Sequence, residues 1–266
     1  AERDSGRTMN WLILTTRDLP EAGVMADFLL RKAQDVVVLN VRGRTRAQSF
    51  AVLKRLARKR GARYLADFLL GRALRGRVLD PAAQPFPEIT AAARAALRMR
   101  CRHLDVDDPH APETLARVAE LRPDYVLFLG APVIQPALYG LARRGALNWH
   151  HGLAPRYRGS DCVLWAMANG EFDQVGFTIH FVSPVVDGGR IVLQRRVVVR
   201  KDVSFGAAVA DVARQGLNGF IEVVDRLLSG QELESREQEK GGTHYPPIGW
   251  RALRRAAGNF ARYAAS

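Results

Sequence analysis

The sequence predicts an α/β fold in which a mostly parallel sheet carries helices on both faces. Short apolar, β-branched runs bounded by polar turns recur along the chain, as expected for buried strands of a parallel sheet. Segments with the apolar spacing of helices separate these runs. At 266 residues, 47% of them hydrophobic, the chain can bury one large core and carry a small appendage.

The first half of the chain alternates strands and helices. Strands are predicted at WLILTT (11–16) and VVVLNV (36–41), and PEAGVMADFLLRKA between them has helical spacing. A third strand is predicted at RHLDV, followed by a helix through ETLARVAEL. YVLFLG (125–130) is the predicted central strand. This order is typical of a Rossmann-like sheet.

The second half continues the sheet and ends in a helical extension. GALNWHHG is a predicted strand, and GFTIHFV and GRIVLQRRVVV are two more, joined by a tight DGG loop. Residues 204–228 have the spacing of a long amphipathic helix, and a polar stretch with a basic helical tail follows. We therefore expect one domain over 9–203, with a basic helical insertion at 42–100, and a C-terminal helix and tail, 204–266, packed on it.

Composition and motifs exclude several classes of protein. No apolar run approaches the roughly 18 to 20 residues of a membrane span, and the N-terminus lacks a signal-peptide layout, so a cytoplasmic protein is expected. Cys101 and Cys162 lie far apart without metal-ligand spacing, which indicates reduced thiols. The sequence has no G-x-G-x-x-G, P-loop, G-x-S-x-G or H-E-x-x-H motif.

The net charge of +13 favours anionic partners, although a simple preference for Arg over Lys explains it equally well. The excess is concentrated in residues 42–77, where Asp67 is the one acid. An apolar face is predicted there from Phe50, Leu53, Leu56, Tyr64 and Phe68. The insertion is then either a packed helix with solvated arginines, a dock for a polyphosphate-bearing substrate or an anionic membrane, or a nucleic-acid-binding surface.

The stretch NWHHGLAPRYRG carries the candidate chemistry. Alternation along a strand sends Asn148 and His150 to one face, and Trp149 and His151 to the other. Two donors side by side at a strand end suit an oxygen that gains negative charge. An aspartate nearby would hold the imidazole protonated and relay a proton, as acyl transfer requires. No metal site is predicted, because adjacent strand residues diverge.

This stretch and the later GFTIHFVSPVVDGG together resemble the formyltransferases that use 10-formyltetrahydrofolate, among them the glycinamide ribonucleotide, methionyl-tRNA and amino-sugar enzymes. The match is strongest over 123–195. The resemblance implies that Asn148, His150 and Asp187 are the catalytic set, acting by direct attack of an amine through a tetrahedral intermediate. It also implies a pterin pocket built by two loops: Gly130, Ala131, Pro132, Val133 and Ile134, and Val182, Ser183, Pro184, Val185 and Val186.

The acceptor side is less sharply defined. His151, Tyr157, Arg158 and Trp165 are candidate substrate-binding residues, with turn formation or core packing as the alternatives. His180 either supports the loop or acts directly. Many relatives continue as H-P-S-L-L-P after the catalytic histidine, whereas this chain has a glycine at 152, which looks closer to the sugar branch.

The expected acceptor is an amine of a phosphate-bearing amino sugar, with a nucleotide as the expected phosphate-bearing group, for polysaccharide or specialised-metabolite synthesis. The methionyl-tRNA enzymes add a C-terminal domain for which too few residues remain, so no nucleic-acid partner is expected; the glycinamide enzymes lack a basic insertion. The sugar branch further suggests a homodimer, and residues 42–77 a weak membrane contact. The alternatives are a formyltetrahydrofolate deformylase, formylation of another small amine metabolite, and a folate- or anion-binding protein without turnover.

Overall fold

The computed structural model describes residues 8–17, 19–43, 46–80 and 83–266. The strands are β1 Asn10–Thr16, β2 Asp35–Val41, β3 Arg102–Val106, β4 Tyr125–Leu129, β5 Gly145–His150, β6 Tyr157–Gly159, β7 Gly176–Phe181, β8 Ile191–Arg196 and β9 Thr243–Tyr245. Seven of them form a central sheet in the order β3-β2-β1-β4-β5-β7-β8, and β6 and β9 form a separate pair. The first five strands of the sheet are parallel, and β7 and β8 are antiparallel to their neighbours.

Helices connect most of the strands. They are α1 Pro20–Arg31, α2 Arg46–Arg60, α3 Ala62–Val78, α4 Ala91–Arg100, α5 Pro112–Leu121, α6 Pro136–Tyr139, α7 Cys162–Ala168, α8 Phe205–Leu228 and α9 Trp250–Ala265. The α/β fold class is thereby confirmed. None of the helices within the described ranges is long and apolar enough to cross a membrane.

Two apolar cores lie on the two faces of the sheet, because successive side chains of a strand point in opposite directions. Trp11 and Ile13 of β1 belong to one core, together with residues of α1, α7, α8 and α9. Leu12 and Leu14 belong to the other, together with residues of α5 and α6. All four side chains are at most 1% exposed. The sheet is therefore covered on both sides, as its apolar strands predict.

The second half departs from the expectation in two places. The connection between β7 and β8 is the whole segment 182–190 and not a tight turn. The segment after Gly230, expected to be polar tail, contributes β9, which pairs in parallel with β6. Both differences matter for the site, because each brings a distant segment to the end of β5.

The basic insertion folds as α2 and α3, and α3 packs against the start of α9. Gly71 approaches the backbone of Trp250 closely, such that a Cβ would lie 2.7 Å from its nitrogen. The Tyr64 hydroxyl donates to the carbonyl of Pro247 over 2.6 Å. Asp67 accepts a hydrogen bond from the Arg251 amide in the first turn of α9 over 3.1 Å. The insertion is thus fixed beside the C-terminal segment.

Candidate active site

A cavity of about 370 Å³ opens where β4 and β5 end. The carboxyl ends of parallel strands are where α/β proteins place their sites. Its polar lining includes four histidines, two aspartates, an asparagine and two serines: His150, His151, His180, His244, Asp161, Asp187, Asn148, Ser160 and Ser183. All three residues of the predicted catalytic set lie in this lining.

Asn148 is positioned by a cross-strand contact. It lies opposite His180 in the antiparallel pairing of β5 and β7, and its Nδ2 is 3.1 Å from His180 Nε2. His180 Nδ1 lies 2.7 Å from the carbonyl oxygen of Phe181, to which it can only donate. His180 Nε2 is then the acceptor for Asn148. This contact fixes the amide orientation and uses one of its two N–H groups, leaving the second for a ligand.

His150 is held in one tautomer by the main chain. Its Nε2 lies 2.7 Å from the carbonyl oxygen of Tyr157, and therefore carries the proton that it donates. Its Nδ1 faces Asp187 Oδ2 at 3.5 Å. The His150 side chain is 5% exposed and that of Asp187 11%. The histidine at the strand end and the aspartate from the distant loop are thus neighbours in a nearly dry environment.

Asp187 is fixed through both its backbone and its carboxylate. Its φ of 52° is in the left-handed region, which aspartate tolerates better than most residues. Gly159 donates its amide to Oδ2 over 2.8 Å, and Gln238 donates to the main-chain carbonyl over 2.8 Å. Burial raises the pKa of Asp187, but the His180 and His150 rings and the Gly159 amide outweigh it and lower the pKa to about 2. The carboxylate is ionised at neutral pH.

The protonation state of His150 differs from the sequence-based expectation. The aspartate was expected to hold the imidazole protonated. Burial lowers the pKa of His150 below its ordinary value, and the opposing effects of Asp187 and the Tyr157 carbonyl do not reverse this. A neutral ring with its proton on Nε2 has a free lone pair on Nδ1. In this state His150 is a proton acceptor beside an ionised carboxylate.

Both predicted pterin-pocket loops line the cavity, with every residue of 130–134 and 182–186 in its wall. Three of their apolar side chains are exposed to solvent: Val133 by 72%, Val185 by 60% and Val186 by 40%. Clustered exposed apolar side chains in a concave site indicate a surface that a ligand covers. The loops therefore fit a flat, largely apolar ring system.

The four candidate substrate-binding residues separate into one that lines the cavity and three that do not. His151 lines it and stacks on Trp149, with ring centroids 4.0 Å apart. Burial lowers the pKa of His151 to about 4, with a further contribution from His150. Its ring is neutral at physiological pH.

Tyr157, Arg158 and Trp165 are absent from the lining among the residues that the structure describes, and each makes internal contacts instead. The Tyr157 hydroxyl donates to Glu171 Oε2 over 2.8 Å. Arg158 donates to Gln238 Oε1 through Nη2 over 2.6 Å. Tyr157 and Arg158 thus bind other side chains of the protein outside the cavity wall, and their role here is structural support of the site.

Trp165 lies in α7, where it supports the C-terminal segment. Its indole Nε1 donates to the carbonyl of Pro246 over 2.7 Å, and its ring packs against Tyr245 at 5.2 Å between centroids. This is the core-packing alternative of the sequence interpretation.

The sequence did not indicate several residues of the site, among them His244 and Asp161 in the cavity wall and Gln238 behind it. His244, in β9, lies beside Gly159 and lines the cavity. Asp161 lines it too, and accepts from Arg75 of α3 at 3.1 Å and from the Ile248 amide at 3.0 Å. His244 and Gln238 lie in the segment after α8, where a polar residue carries no local signal of its role. Only the pairing of β6 with β9 brings this segment to the site.

Gly152 is required by close approach. A Cβ at this position would lie 2.6 Å from Cys162 Cβ, 2.7 Å from the Tyr157 carbonyl oxygen and 2.8 Å from His150 Nε2. Real Cβ atoms do not come so close. The glycine after the two histidines therefore makes room for the His150 hydrogen bond.

The arrangement can polarise a carbonyl and move a proton beside it. Asn148 offers an N–H donor, neutral His150 a proton acceptor, and Asp187 a carboxylate that stabilises the charged imidazole. Among the described residues, no cluster of three or more His, Cys, Asp or Glu side chains is arranged to hold a metal ion.

A sequence model of a protein family described as formyl transferase matches residues 72–224, more than half of the chain. The chain belongs to the formyl transferase family.

The chain is similar to several individual formyltransferases. It is 28% identical over 161 residues to the methionyl-tRNA formyltransferase of Chlorobium chlorochromatii (strain CaD3), covering 60% of the chain and 51% of the relative. The chain thus spans about half the length of the curated relatives it matches. A sugar N-formyltransferase of Shewanella sp FDAARGOS_354 is similar in fold, with a TM-score of 0.56 and 11% sequence identity. The similarity covers 94% of this chain and 87% of that one. Phosphoribosylglycinamide formyltransferase of Anaplasma phagocytophilum is also similar in fold, with a TM-score of 0.56 and 15% sequence identity. The similarity covers 90% of this chain and 96% of that one.

Proposed function

We propose that this formyl transferase transfers a formyl group from 10-formyltetrahydrofolate to an amine of a phosphate-bearing amino sugar, with a nucleotide as the handle. The observation that carries the transfer chemistry is the meeting of Asn148, His150 and Asp187 in one cavity, with Nδ1 of the histidine 3.5 Å from the carboxylate. The exposed valines of the two loops support a folate ring beside them.

Each residue of the set has a separate task. The free N–H of Asn148 donates to the formyl oxygen as negative charge develops there. Neutral His150 accepts a proton from the attacking amine at Nδ1. The resulting imidazolium is stabilised by ionised Asp187, which is already held by the Gly159 amide. The 10-formyltetrahydrofolate would supply the formyl carbon. The bond from this carbon to the folate nitrogen breaks, and the His150 imidazolium returns its proton to that nitrogen as tetrahydrofolate leaves. Because the site is nearly dry, these interactions are stronger than they would be in water.

The acceptor side of the cavity favours a polar, charged substrate. Asp161 and His244 lie in its wall, and Arg75 reaches Asp161 from the basic insertion. A carboxylate suits an acceptor that arrives as an ammonium ion, which must release one proton to water before its amine can attack, and arginines nearby suit a diphosphate. The sugar N-formyltransferases among the structural neighbours support this class of acceptor.

Methionyl-tRNA is the second candidate acceptor, because the curated relatives are methionyl-tRNA formyltransferases. The arginine-rich helices α2 and α3 are also compatible with a tRNA. A deformylase, in which water replaces the amine, uses the same cavity and is the third outcome to test.

The test is an acceptor panel with purified protein and 10-formyltetrahydrofolate. Nucleotide-linked amino sugars, methionyl-tRNA and a reaction without acceptor are compared by mass spectrometry and formate assay. A formylated amino sugar supports the proposal. A product only on methionyl-tRNA, or formate without acceptor, would replace the acceptor while keeping the catalytic set. The Asp187→Asn variant should lose at least about a hundredfold in rate while still binding a folate analogue; an unchanged rate would refute the catalytic set.

A further inference from the structure

Helices α2 and α3 form a strongly cationic surface beside the catalytic cavity. Between Arg46 and Val78 the chain has ten lysines and arginines and a single acid, Asp67. We call this segment the cationic helix pair. The transfer chemistry described above does not use it.

The cations of the pair are largely without acidic partners. Within the described residues, the one ion pair made by a cation of this segment joins Arg75 to Asp161 at 3.1 Å. Asp67 is directed at the start of α9, where it accepts from the Arg251 amide and lies 3.9 Å from the Arg251 Nε atom. Within the part of the chain that the structure describes, most of the positive charge of the segment is therefore not neutralised by acidic side chains.

The outer face also carries apolar side chains among these cations. Phe50, which the sequence pattern placed on a packed face, is 68% exposed, and Leu69 and Leu70 are 41% and 45% exposed. On α3 the exposed Ala62, Ala66, Leu69 and Ala73 follow one another at helical spacing. Exposed Arg63, Leu70 and Arg77 run alongside them.

The inner face of the pair is already occupied. Gly71 lies against the Gly249–Trp250 backbone, and Tyr64 is hydrogen-bonded to Pro247. The outer face, with its exposed cations and apolar side chains, is consequently the part available to a partner. Its many exposed cations, with one aromatic and two leucines among them, suit a surface that carries negative charge above an apolar layer.

We propose that the outer face of the cationic helix pair binds the surface of a bilayer rich in anionic lipid. Charge complementarity supplies the attraction, because each Lys or Arg near such a surface contributes favourably. Phe50, Leu69 and Leu70 enter the boundary between headgroups and acyl chains. A nucleic acid would satisfy the cations but would leave these apolar side chains in water.

The docking has a geometric consequence for the cavity. Arg75 of α3 is bound to Asp161, which lines the cavity, and Asp161 also accepts from the Ile248 amide. A membrane-bound helix pair therefore holds the cavity at a set distance from the lipid surface. This inference does not depend on formyl transfer, since binding is measured without substrates.

The experiment is co-sedimentation of the full chain with vesicles of phosphatidylglycerol and phosphatidylcholine, compared with vesicles of phosphatidylcholine alone. We expect binding only to the anionic vesicles and a decrease with added salt. Arg55→Glu with Arg58→Glu should lower the partition coefficient at least about tenfold. Phe50→Ser with Leu69→Ser should lower it at least about fivefold, because apolar surface is no longer transferred from water.

A matched control reverses two exposed cations on the opposite face of the sheet, Arg117→Glu with Arg122→Glu, and should leave the partition coefficient unchanged. Circular dichroism verifies that every variant is folded. Absence of binding to anionic vesicles, or equal loss in the control, overturns the proposal. So does an unchanged partition coefficient in the Phe50 and Leu69 variant. Tight binding of a duplex RNA with none to vesicles assigns the surface to nucleic acid instead.

Discussion

Gln238 donates its side-chain amide to the main-chain carbonyl of Asp187 over 2.8 Å, and to that of Gly189 over the same distance. Its own side-chain oxygen accepts from Arg158. The left-handed backbone at Asp187 is therefore held in place from a segment 51 residues farther along the chain.

Replacing Gln238 by leucine removes both donors while keeping a similar volume. We expect kcat to fall about ten- to hundredfold, because a small displacement of the aspartate weakens its interaction with His150. Binding of a folate analogue should stay near that of the unchanged protein. Steady-state kinetics and calorimetry measure the two quantities. Gln231→Leu is the control and should retain full activity, because Gln231 lies in the same tail segment but accepts from Arg226 instead of donating to the Asp187 loop. A Gln238 variant with full kcat would refute the positioning role.

The pH dependence of the rate should reflect His150. Since burial lowers the pKa of His150 below 6.5, the neutral, proton-accepting ring predominates at neutral pH, and kcat/KM should fall only as pH drops below 6.5. The charge of Asp187 raises the pKa of His150, so the acid limb of the residual activity of Asp187→Asn should move to lower pH. A limb at higher pH in the variant would contradict this assignment. The measurement is kcat/KM across the acid range.

The fold was largely predictable because its strands are buried on both sides. A run such as WLILTT packs against apolar side chains on both faces of the sheet, so its apolar pattern predicts a buried strand. The predicted bounds, 11–16, differ from those of β1 by one residue. The alternation that places Asn148 and His150 together is likewise a local property of β5. Both belong to the part of the structure that neighbouring residues determine.

The supports of the site were not predictable for the opposite reason. β6 and β9 have three residues each, which is too few to show a periodicity, and each is a strand only because the other pairs with it. Tyr157 was a candidate for substrate binding, with turn formation as the alternative, and its side chain is 1% exposed. The lowered pKa of His150 depends on burial, which no local pattern records.

His151 should contribute a pH-dependent part of stability. Its pKa is about 4 in the folded protein and its ordinary value is 6.5. The folded state therefore binds fewer protons, and the contribution is complete above pH 6.5 and lost as pH falls towards 4. His151→Phe keeps a ring against Trp149 but cannot titrate. Urea unfolding over this pH range should show a smaller acid loss in the variant, and parallel curves would contradict the assignment.

Gly152→Ala tests the close approach beside His150. The added methyl meets the Tyr157 carbonyl and His150 Nε2 at under 3 Å, so we expect a loss of about 1 to 3 kcal/mol in the free energy of unfolding. Activity should decrease further than stability explains, because the methyl lies against the catalytic ring. Gly258→Ala, where a Cβ meets nothing within 4 Å, is the control. Equal activities of the two variants would refute the steric argument.

The pairing of β9 with β6 has a consequence for any shortened or grafted version of this domain. The proposed catalytic set lies inside the stretch 72–224 that the family model matches, whereas His244 and Gln238 come from beyond it. His244 lines the pocket, and Gln238 holds the backbone of Asp187. A version that ends with the matched stretch would lose both, so it must extend through Tyr245.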